Sequence, residues 1–182
     1  MPGPVVCQPY YNLLNRQPEV EVLPACLHHG IGVVPYSPIA RGVLAAKYAP
    51  GAPPADAGTR AGRGDTRMMQ TEFREESLRA AQALKAHCET QGVAPSHFAT
   101  AWVLAHRGRE LGDRRAAHLR SSGRTTSARS SARSTPPTRR WSTRLVAPGH
   151  PSTPGHNDPA YPLAAAPPLN SMVLPFVMRC ER

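Results

Sequence analysis

Aromatic residues make up only 5% of this 182-residue chain, whereas proline and glycine contribute 21 and 14 residues. The length allows one ordinary domain with a core. A segment with few aromatic residues and much proline and glycine, however, buries too little apolar surface to offset its conformational entropy. We therefore expect part of the chain not to fold.

Cysteine is also scarce. The four cysteines lie far apart and form no Cys-x-x-Cys pair, so the sequence predicts neither a zinc site nor a disulfide framework. Reduced thiols that pack as small hydrophobic side chains fit this pattern. No apolar run approaches the length of a membrane span, and the N-terminus does not resemble a targeting segment. We expect a cytoplasmic protein with no membrane segment and no bound metal.

Acidic residues are outnumbered by basic ones, 12 to 22, which gives a formal net charge of +10. The excess is concentrated between Arg107 and Arg144, where eleven arginines are accompanied only by Glu110 and Asp113. Such a segment can bind nucleic acid non-specifically through phosphates. Apart from Trp141 it lacks the interleaved aromatic residues that stack on bases, so sequence-specific recognition is not expected.

The first part of the chain predicts two parallel strands. Residues 5–14 begin with an apolar, β-prone run that ends at Pro9, which suits a buried strand leading into a loop. A helix is predicted from Pro18 to Gly30, and residues 31–37 form a second apolar run. Short connections in the order strand, helix, strand imply parallel strands joined by a crossover helix.

Two further helices are predicted before the basic segment. The first spans residues 73–91, with Gly92 placed for its C-terminal cap. The second begins at Pro95, and its apolar stripe includes Trp102, which we expect in the core rather than beside a ligand. The apolar positions that predict the first of these helices are Leu78, Ala81, Leu84 and Cys88.

Three connecting or terminal regions show no sustained periodicity. Residues 49–66 are predicted to form a long loop. Residues 107–144 are expected to be disordered, because they contain few large apolar side chains. Residues 145–182 include eight prolines and are expected to form an extended tail.

Three segments resemble a known family. QPYYNLLNR from Gln8, GIGVVPYSPIARGVLAAKY from Gly30 and FATAWVLA from Phe98 closely resemble the later strands and helices of the aldo-keto reductases. The resemblance covers residues 4–106, with a shorter match at LVAPGHPSTPGHNDPAYP. It implies an α/β fold that is part of a (β/α)8 barrel, whose active site gathers at the C-terminal ends of the strands.

The resemblance also implies a function and a division of the chain. The family transfers hydride from NADPH to a small aldehyde or ketone. We expect a partial barrel over residues 1–106, a disordered Arg/Ser-rich segment over 107–144 and a Pro-rich tail over 145–182.

Carried over residue by residue, the resemblance implies a cofactor site. Gln8 matches the glutamine that hydrogen-bonds the nicotinamide carboxamide, and Tyr36 matches the aromatic residue that stacks on the nicotinamide ring. Lys47 and Arg60 match basic positions that reach phosphate groups. Considered singly, Tyr36, Lys47 and Arg60 fit an ordinary strand-end tyrosine and solvated cations equally well. The segment that matches the pyrophosphate loop is Ser37, Pro38, Ile39, Ala40, Arg41 and Gly42.

Two departures from the family pattern matter. The family's catalytic tyrosine, lysine, aspartate and histidine precede the matched segment. We therefore predict no catalytic residue in this chain, expect the NADPH site to be incomplete, and expect a C-terminal fragment that is inactive alone. At Arg107, where the family enters its eighth strand and the site for the 2′-phosphate, the basic segment begins instead.

A frame shift would explain the basic segment. Back-translation of residues 109–118 with GC-rich codons, read one base later, gives VSSVIAGPR, which resembles the missing strand. We hypothesise that this segment carries no designed chemistry, and the encoding DNA would test the idea. The alternatives are a non-specific nucleic-acid-binding protein and an inactive or regulatory relative of the enzymes. The tripeptide Arg63-Gly64-Asp65 lacks the context of an adhesion motif and is given no role.

Overall fold

The computed structural model describes residues 3–52, 57–105, 136–156 and 158–160. In the helix that begins at residue 136, it describes side chains from residue 140 onwards. Most of the basic segment and the tail beyond residue 160 lie outside the described residues. The predictions made for them, including the frame shift, stay predictions.

Two short parallel strands form the sheet. Strand β1 is Val6–Cys7 and strand β2 is Gly32–Val33, and the two are paired residue for residue in that order. Further along, the Val34 N–H donates to the Cys7 carbonyl at 2.9 Å. The prediction of two adjacent parallel strands is confirmed.

The connection between the strands contains one 3-10 turn and one helix. The turn is Gln17–Glu19, and helix α1 is Val22–His28, so the predicted helix is split in two. Helix α1 buries Leu23 and Cys26. It ends at His28, and Gly30, two residues later, has a φ of 64° in the left-handed region that favours glycine.

Three more helices follow β2. They are α2, Thr66–Thr71, α3, Glu75–Glu89, and α4, Pro95–Leu104. Asp65 caps α2 by accepting the Met68 N–H at 2.9 Å. Helix α3 is shorter than predicted at both ends. At its C-terminus Gly92, with φ of 63°, provides the predicted cap.

The core lies between α3, α4 and the two 3-10 turns within Ala40–Ala45. Trp102 is only 1% exposed, which confirms that it is a core residue. The predicted stripe of α3 is buried as well. The core includes Tyr11, Leu13, Leu14, Leu23, Val43, Leu44, Met68, Leu78, Leu84, Cys88, Phe98 and Trp102.

Helix α5, Pro136–Leu145, lies partly within the segment that was predicted to be disordered. The Trp141 ring stacks on the His87 ring with centroids 3.9 Å apart, and the Trp102 indole N–H donates to Ser142 Oγ at 3.0 Å. The prediction that residues 107–144 are disordered throughout is therefore wrong for residues 136–144. Trp141, Ser142 and Leu145 share one face of a helix, and this short pattern was obscured by the surrounding arginines.

The C-terminal segment, defined here as residues 146–156 and 158–160, corrects the prediction of an extended tail. Its Val146 is buried, and its Ser152 N–H donates to the Leu14 carbonyl at 2.7 Å. Arg67 forms a two-pronged ion pair with Asp158. Packing against the loop between β1 and α1 thus fixes a proline-rich segment whose sequence has no hydrophobic period.

Gly149 lies where this segment crosses the N-terminal part of the chain. Its φ is 80°, and a Cβ built there would lie 2.7 Å from Val20 Cγ2. We expect Gly149→Ala to lower the free energy of unfolding by about 1–2 kcal/mol, because the left-handed backbone and the contact both oppose a side chain. Urea unfolding followed by circular dichroism would measure this loss.

Gly155→Ala is the matched control, since Gly155 has a φ of 72° but nothing within 4 Å of a built Cβ. It should show the backbone cost alone. An equal or greater loss in the control would contradict the proposed contact at Gly149.

Candidate functional site

The two strands end at the same edge of the sheet, and the predicted nicotinamide residues follow them there. Gln8 comes directly after β1, and the Tyr36 N–H donates to the Pro9 carbonyl at 3.0 Å beyond β2. The Tyr10 and Tyr36 rings lie 5.3 Å apart between centroids. Tyr36 is 43% exposed, so its ring remains accessible. Gln8 and Tyr36 therefore follow the two strands at the same end of the sheet.

A buried asparagine anchors the loop that follows Tyr36. Asn12 is fully buried, and its side-chain amide donates to the Ser37 carbonyl at 2.9 Å. Its Oδ1 accepts the N–H groups of Leu14 and Asn15 at 2.9 and 3.0 Å. This satisfied network holds the start of the loop in one position.

The loop itself has a strained backbone. Ser37, Ala40 and Arg41 have φ values of 56°, 47° and 48°, in the left-handed region. Each such residue costs of order 1 kcal/mol or more, and such strain concentrates at functional sites. Ala40 is completely buried, which explains how the surrounding core retains this conformation.

Next to this loop lies a cavity of about 420 Å³ that we call the cationic cavity. No acidic side chain is among its described lining residues. Lys47 and Arg60 both line it, as does Arg63, which sequence analysis did not select. Pro38 and Ala40 shape the loop without lining the cavity. The lining residues are Ser37, Ile39, Arg41, Gly42, Lys47, Tyr48, Gly58, Thr59, Arg60 and Arg63.

Arg41 differs from the other cations of the cavity. Its guanidinium donates to Glu72 Oε2 at 2.6 Å and to Thr71 Oγ1 at 2.8 Å. Glu72 is 1% exposed, so its charge is strongly tied to this partner. The Arg41 side chain therefore holds the loop against α2 rather than offering a free charge.

Glu72 also accepts a hydrogen bond from the Tyr10 hydroxyl at 3.0 Å. Burial, followed by the nearby Glu72 charge, raises the pKa of Tyr10 far above its ordinary value. Tyr10 and Arg41 thus meet at one buried carboxylate, which links the Tyr36 ring to the pyrophosphate-loop segment.

A second opening, the Tyr36 cleft, has a volume of about 490 Å³ and lies on the Tyr10 side of the sheet edge. His156 lines it, and burial and the charge of Arg74 lower the pKa of its imidazole. Burial likewise lowers the pKa of Arg74. Hydrogen bonds from Arg67 lower the pKa of Asp158, which lies at the same cleft.

Comparison with known proteins identifies the family. The model of the aldo/keto reductase family matches residues 1–134. The chain belongs to the aldo/keto reductase family. With its two parallel strands and flanking helices, it forms part of a TIM-barrel-like α/β fold.

Two curated relatives show the range of proteins to which this chain is similar. A probable voltage-gated potassium channel subunit beta of Arabidopsis thaliana is 38% identical over 105 residues, which are 57% of this chain and 32% of that protein. L-glyceraldehyde 3-phosphate reductase of Escherichia coli is 34% identical over 104 residues, 55% of this chain and 29% of that protein. The chain thus spans about a third of the length of these relatives.

Among solved structures, glycerol dehydrogenase of Gluconobacter oxydans is similar over 54% of this chain and 29% of its own chain. The two are 30% identical, with a TM-score of 0.41.

Three residues of this candidate site were not predicted from the sequence. Arg63 follows the predicted Arg60 by three positions, a spacing that could have been noticed. Asn12 lies within the quoted QPYYNLLNR, but its hydrogen-bond acceptor, the Ser37 carbonyl, lies 25 positions later. Glu72 gave no signal, because its partner Arg41 is 31 positions away.

No cluster of three or more His, Cys, Asp or Glu side chains suited to a metal occurs in the part of the chain that the structure describes. Within those ranges, no helix has the length and apolar character needed to cross a membrane.

Proposed function

We propose that this chain is part of an NADPH-dependent reductase of aldehydes or ketones, and that it contributes the nicotinamide and pyrophosphate side of the cofactor site. One observation carries the proposal. The predicted phosphate residues Lys47 and Arg60 line a single cavity together with four residues of the strained loop, and none of the described lining residues is acidic. The four loop residues are Ser37, Ile39, Arg41 and Gly42. Three cations and polar backbone around an open cavity suit a dinucleotide's phosphates.

The remaining residues fit the other end of the same cofactor. Tyr36 offers a half-exposed aromatic ring at the strand end, and Gln8 is exposed at the end of the neighbouring strand. A planar ring system is bound well by an aromatic face, and a carboxamide by an amide side chain. When bound, the nicotinamide would supply hydride to a carbonyl carbon.

Within this proposal each polar group has a separate task. Lys47 and Arg60 neutralise phosphate charge. The Arg41–Glu72 pair holds the loop, and Asn12 fixes its first residue. The site of proton donation lies outside the proposed role of this chain, which we propose is inactive alone. Its cytoplasmic location stays a prediction.

The family assignment does not favour the nucleic-acid alternative. The greater part of the basic segment on which that alternative depends, residues 107–135, lies outside the described residues. The proposal for the cofactor uses none of them.

NADPH binding by the full 182-residue chain should be weak, with a dissociation constant above micromolar. Only one side of the site is contributed, and the ordering of an incomplete scaffold opposes binding. A ¹H–¹⁵N NMR titration to millimolar NADPH would measure this affinity. The double variant Lys47→Gln/Arg60→Gln should bind at least about 10-fold more weakly, since charged hydrogen bonds are each worth about 1.5–3 kcal/mol.

Lys85→Gln is the control for charge alone, because Lys85 lies on the exposed side of α3 and does not line the cavity. Its affinity for NADPH should remain within about 2-fold of the parent chain. A sub-micromolar dissociation constant would contradict the incomplete site, and an unchanged affinity in the double variant would contradict the assigned phosphate residues.

A further inference from the structure

Two cysteines lie where the sheet meets its crossover helix. Cys7 is the last residue of β1, and Cys26 is buried within α1. Both are free thiols in the structure. Neither belongs to the cofactor site proposed above, so the pair is available for other chemistry.

The backbone brings the two residues to the same side of the sheet. Cys7 is paired with Val33 in the parallel register, and paired residues of neighbouring strands point to the same face. Val33 packs against the core, to which Leu23 of α1 belongs. Cys26 lies three residues after Leu23, on the same face of the helix. The Cys26 carbonyl also accepts the Ile31 N–H at 2.8 Å, two residues before Val33.

The two side chains point toward each other. The Cys26 thiol donates a hydrogen bond to the Cys7 sulfur, and burial, followed by this hydrogen bond, raises the pKa of Cys26. Cysteines whose side chains converge in this way meet the directional requirement for a disulfide. Their separation along the chain would make such a bond a closed loop over residues 7–26.

We propose that Cys7 and Cys26 form a reversible disulfide when the folded chain meets hydrogen peroxide, and that this bond ties β1 to α1 directly before Gln8. The inference does not rest on the proposed function. A bond that forms only under oxidation agrees with the reduced thiols expected from the sequence, since disulfides in reducing compartments are mostly transient or redox-sensing.

The exposure of the two thiols sets the order of the steps. Cys7 is half-buried, whereas Cys26 is only 5% exposed, so peroxide reaches Cys7 first. The Cys7 thiolate attacks one peroxide oxygen, the O–O bond breaks, and hydroxide leaves a sulfenic acid on Cys7. The Cys26 thiolate then attacks the Cys7 sulfur, the S–O bond breaks, and a second hydroxide leaves. The two thiols supply two electrons and two protons, and the peroxide becomes two waters.

Peptide mapping tests the bond directly, because trypsin cleaves after Arg16 and Arg41 and so separates the two cysteines. The folded 182-residue chain is treated with hydrogen peroxide at about pH 8, near the ordinary thiol pKa, then alkylated and digested. Mass spectrometry should find peptides 1–16 and 17–41 joined with the loss of two hydrogen atoms. A dithiol reductant should separate them again.

Three variants distinguish this pair from other sources of oxidation. Cys180→Ser is the matched control and should give the same linked product, whereas Cys7→Ser and Cys26→Ala should give none. Oxidation should raise the midpoint of thermal unfolding of the parent chain by at least about 5 °C, because the bond restricts the unfolded chain over residues 7–26. The same treatment should leave the midpoint of Cys7→Ser unchanged.

Other products would overturn the inference. A sulfinic acid at Cys7 beside a reduced Cys26 would show that the two thiols do not react with each other. Disulfides of either residue with Cys88 or Cys180, or between two chains, would show that the fold does not select this pair. Two thiols that stay free in peroxide would reject the redox site, and an unchanged midpoint of the linked chain would reject the tie between β1 and α1. The proposed function would stand after any of these results.

Discussion

The purified 182-residue chain is expected to leave aldehydes and ketones unreduced in the presence of NADPH. Hydride transfer to a carbonyl forms an alkoxide, which needs a proton donor in position. Apart from Tyr36, which the proposal places against the nicotinamide ring, the phenol and imidazole groups that line the described cleft are Tyr10 and His156. Neither is suited to the task.

The Tyr10 hydroxyl already donates to the buried Glu72 at 3.0 Å, and burial followed by the Glu72 charge raises its pKa. A raised pKa makes a phenol a weaker acid, so its proton is held more tightly at neutral pH. His156 has the opposite shift, because burial and the charge of Arg74 lower its pKa. It is therefore mainly neutral at pH 7 and has little acidic form to offer.

Loss of general acid catalysis alone costs roughly 100- to 10,000-fold in rate, and the family's other catalytic groups would add to that deficit. NADPH absorbance with a panel of aldehydes and ketones would measure turnover, with the heat-denatured chain as control. Turnover above this control would show that a proton donor is present and would contradict the assignment of this chain to the cofactor side alone.

Trp102→Ala should produce the largest loss of stability, about 3–5 kcal/mol in the free energy of unfolding. Removal of the indole ring abolishes three interactions. Its ring lies 5.4 Å from that of Tyr11, the Arg16 guanidinium stands 5.3 Å from its centroid, and its N–H donates to Ser142. The side chain is 1% exposed, so its removal also leaves a cavity.

A loss of this size equals much of the stability of an ordinary domain, so we expect the alanine variant to unfold at low urea concentration with little cooperative transition. Trp102→Phe keeps an aromatic ring in the core and removes the N–H, and should lose less than half as much. Ser142→Ala removes only the acceptor and should lose about 1 kcal/mol. Circular dichroism in urea would rank the three variants. A loss below 1 kcal/mol for Trp102→Ala would contradict the central place of this residue in the core.

The elements with local patterns could be predicted from the sequence. The two strands, the stripe of α3 and the end of α3 at Gly92 follow from apolar spacing and from glycine's freedom at positive φ. The split of the first helix could not be predicted, because Pro18 opens a separate 3-10 turn before α1. Propensity alone does not decide where one turn ends and the next begins.

Helix α5 and the C-terminal segment were missed because their order comes from distant partners. Trp141 stacks on His87 and Ser142 accepts from Trp102, residues 54 and 40 positions earlier. The composition of residues 136–144 is unfavourable for a core, but one face of a helix needs only a few apolar residues when an existing core receives them.

For the candidate site, the sequence predicted several of the residues but not the ion pair between them and the rest of the fold. The resemblance selected Tyr36, Lys47 and Arg60. Tyr36 lines the Tyr36 cleft, whereas Lys47 and Arg60 line the cationic cavity. The resemblance gave Arg41 the same role as its neighbours. The ion pair with Glu72 depends on how α2 packs against the loop, and that geometry is not encoded in either segment alone.

Arg16 has a consequence for the order in which this protein can fold during synthesis. Its Nη1 donates to the Val146 carbonyl at 2.9 Å, and its own N–H donates to the His150 carbonyl at 3.0 Å. These acceptors are translated 130 or more residues later. At about 5–20 residues per second, the ribosome needs about 7–26 s to reach them. Until then Arg16 has the Glu19 carboxylate as its side-chain partner but lacks these two carbonyls, so this end of the core can close only after residues 146–150 have been made.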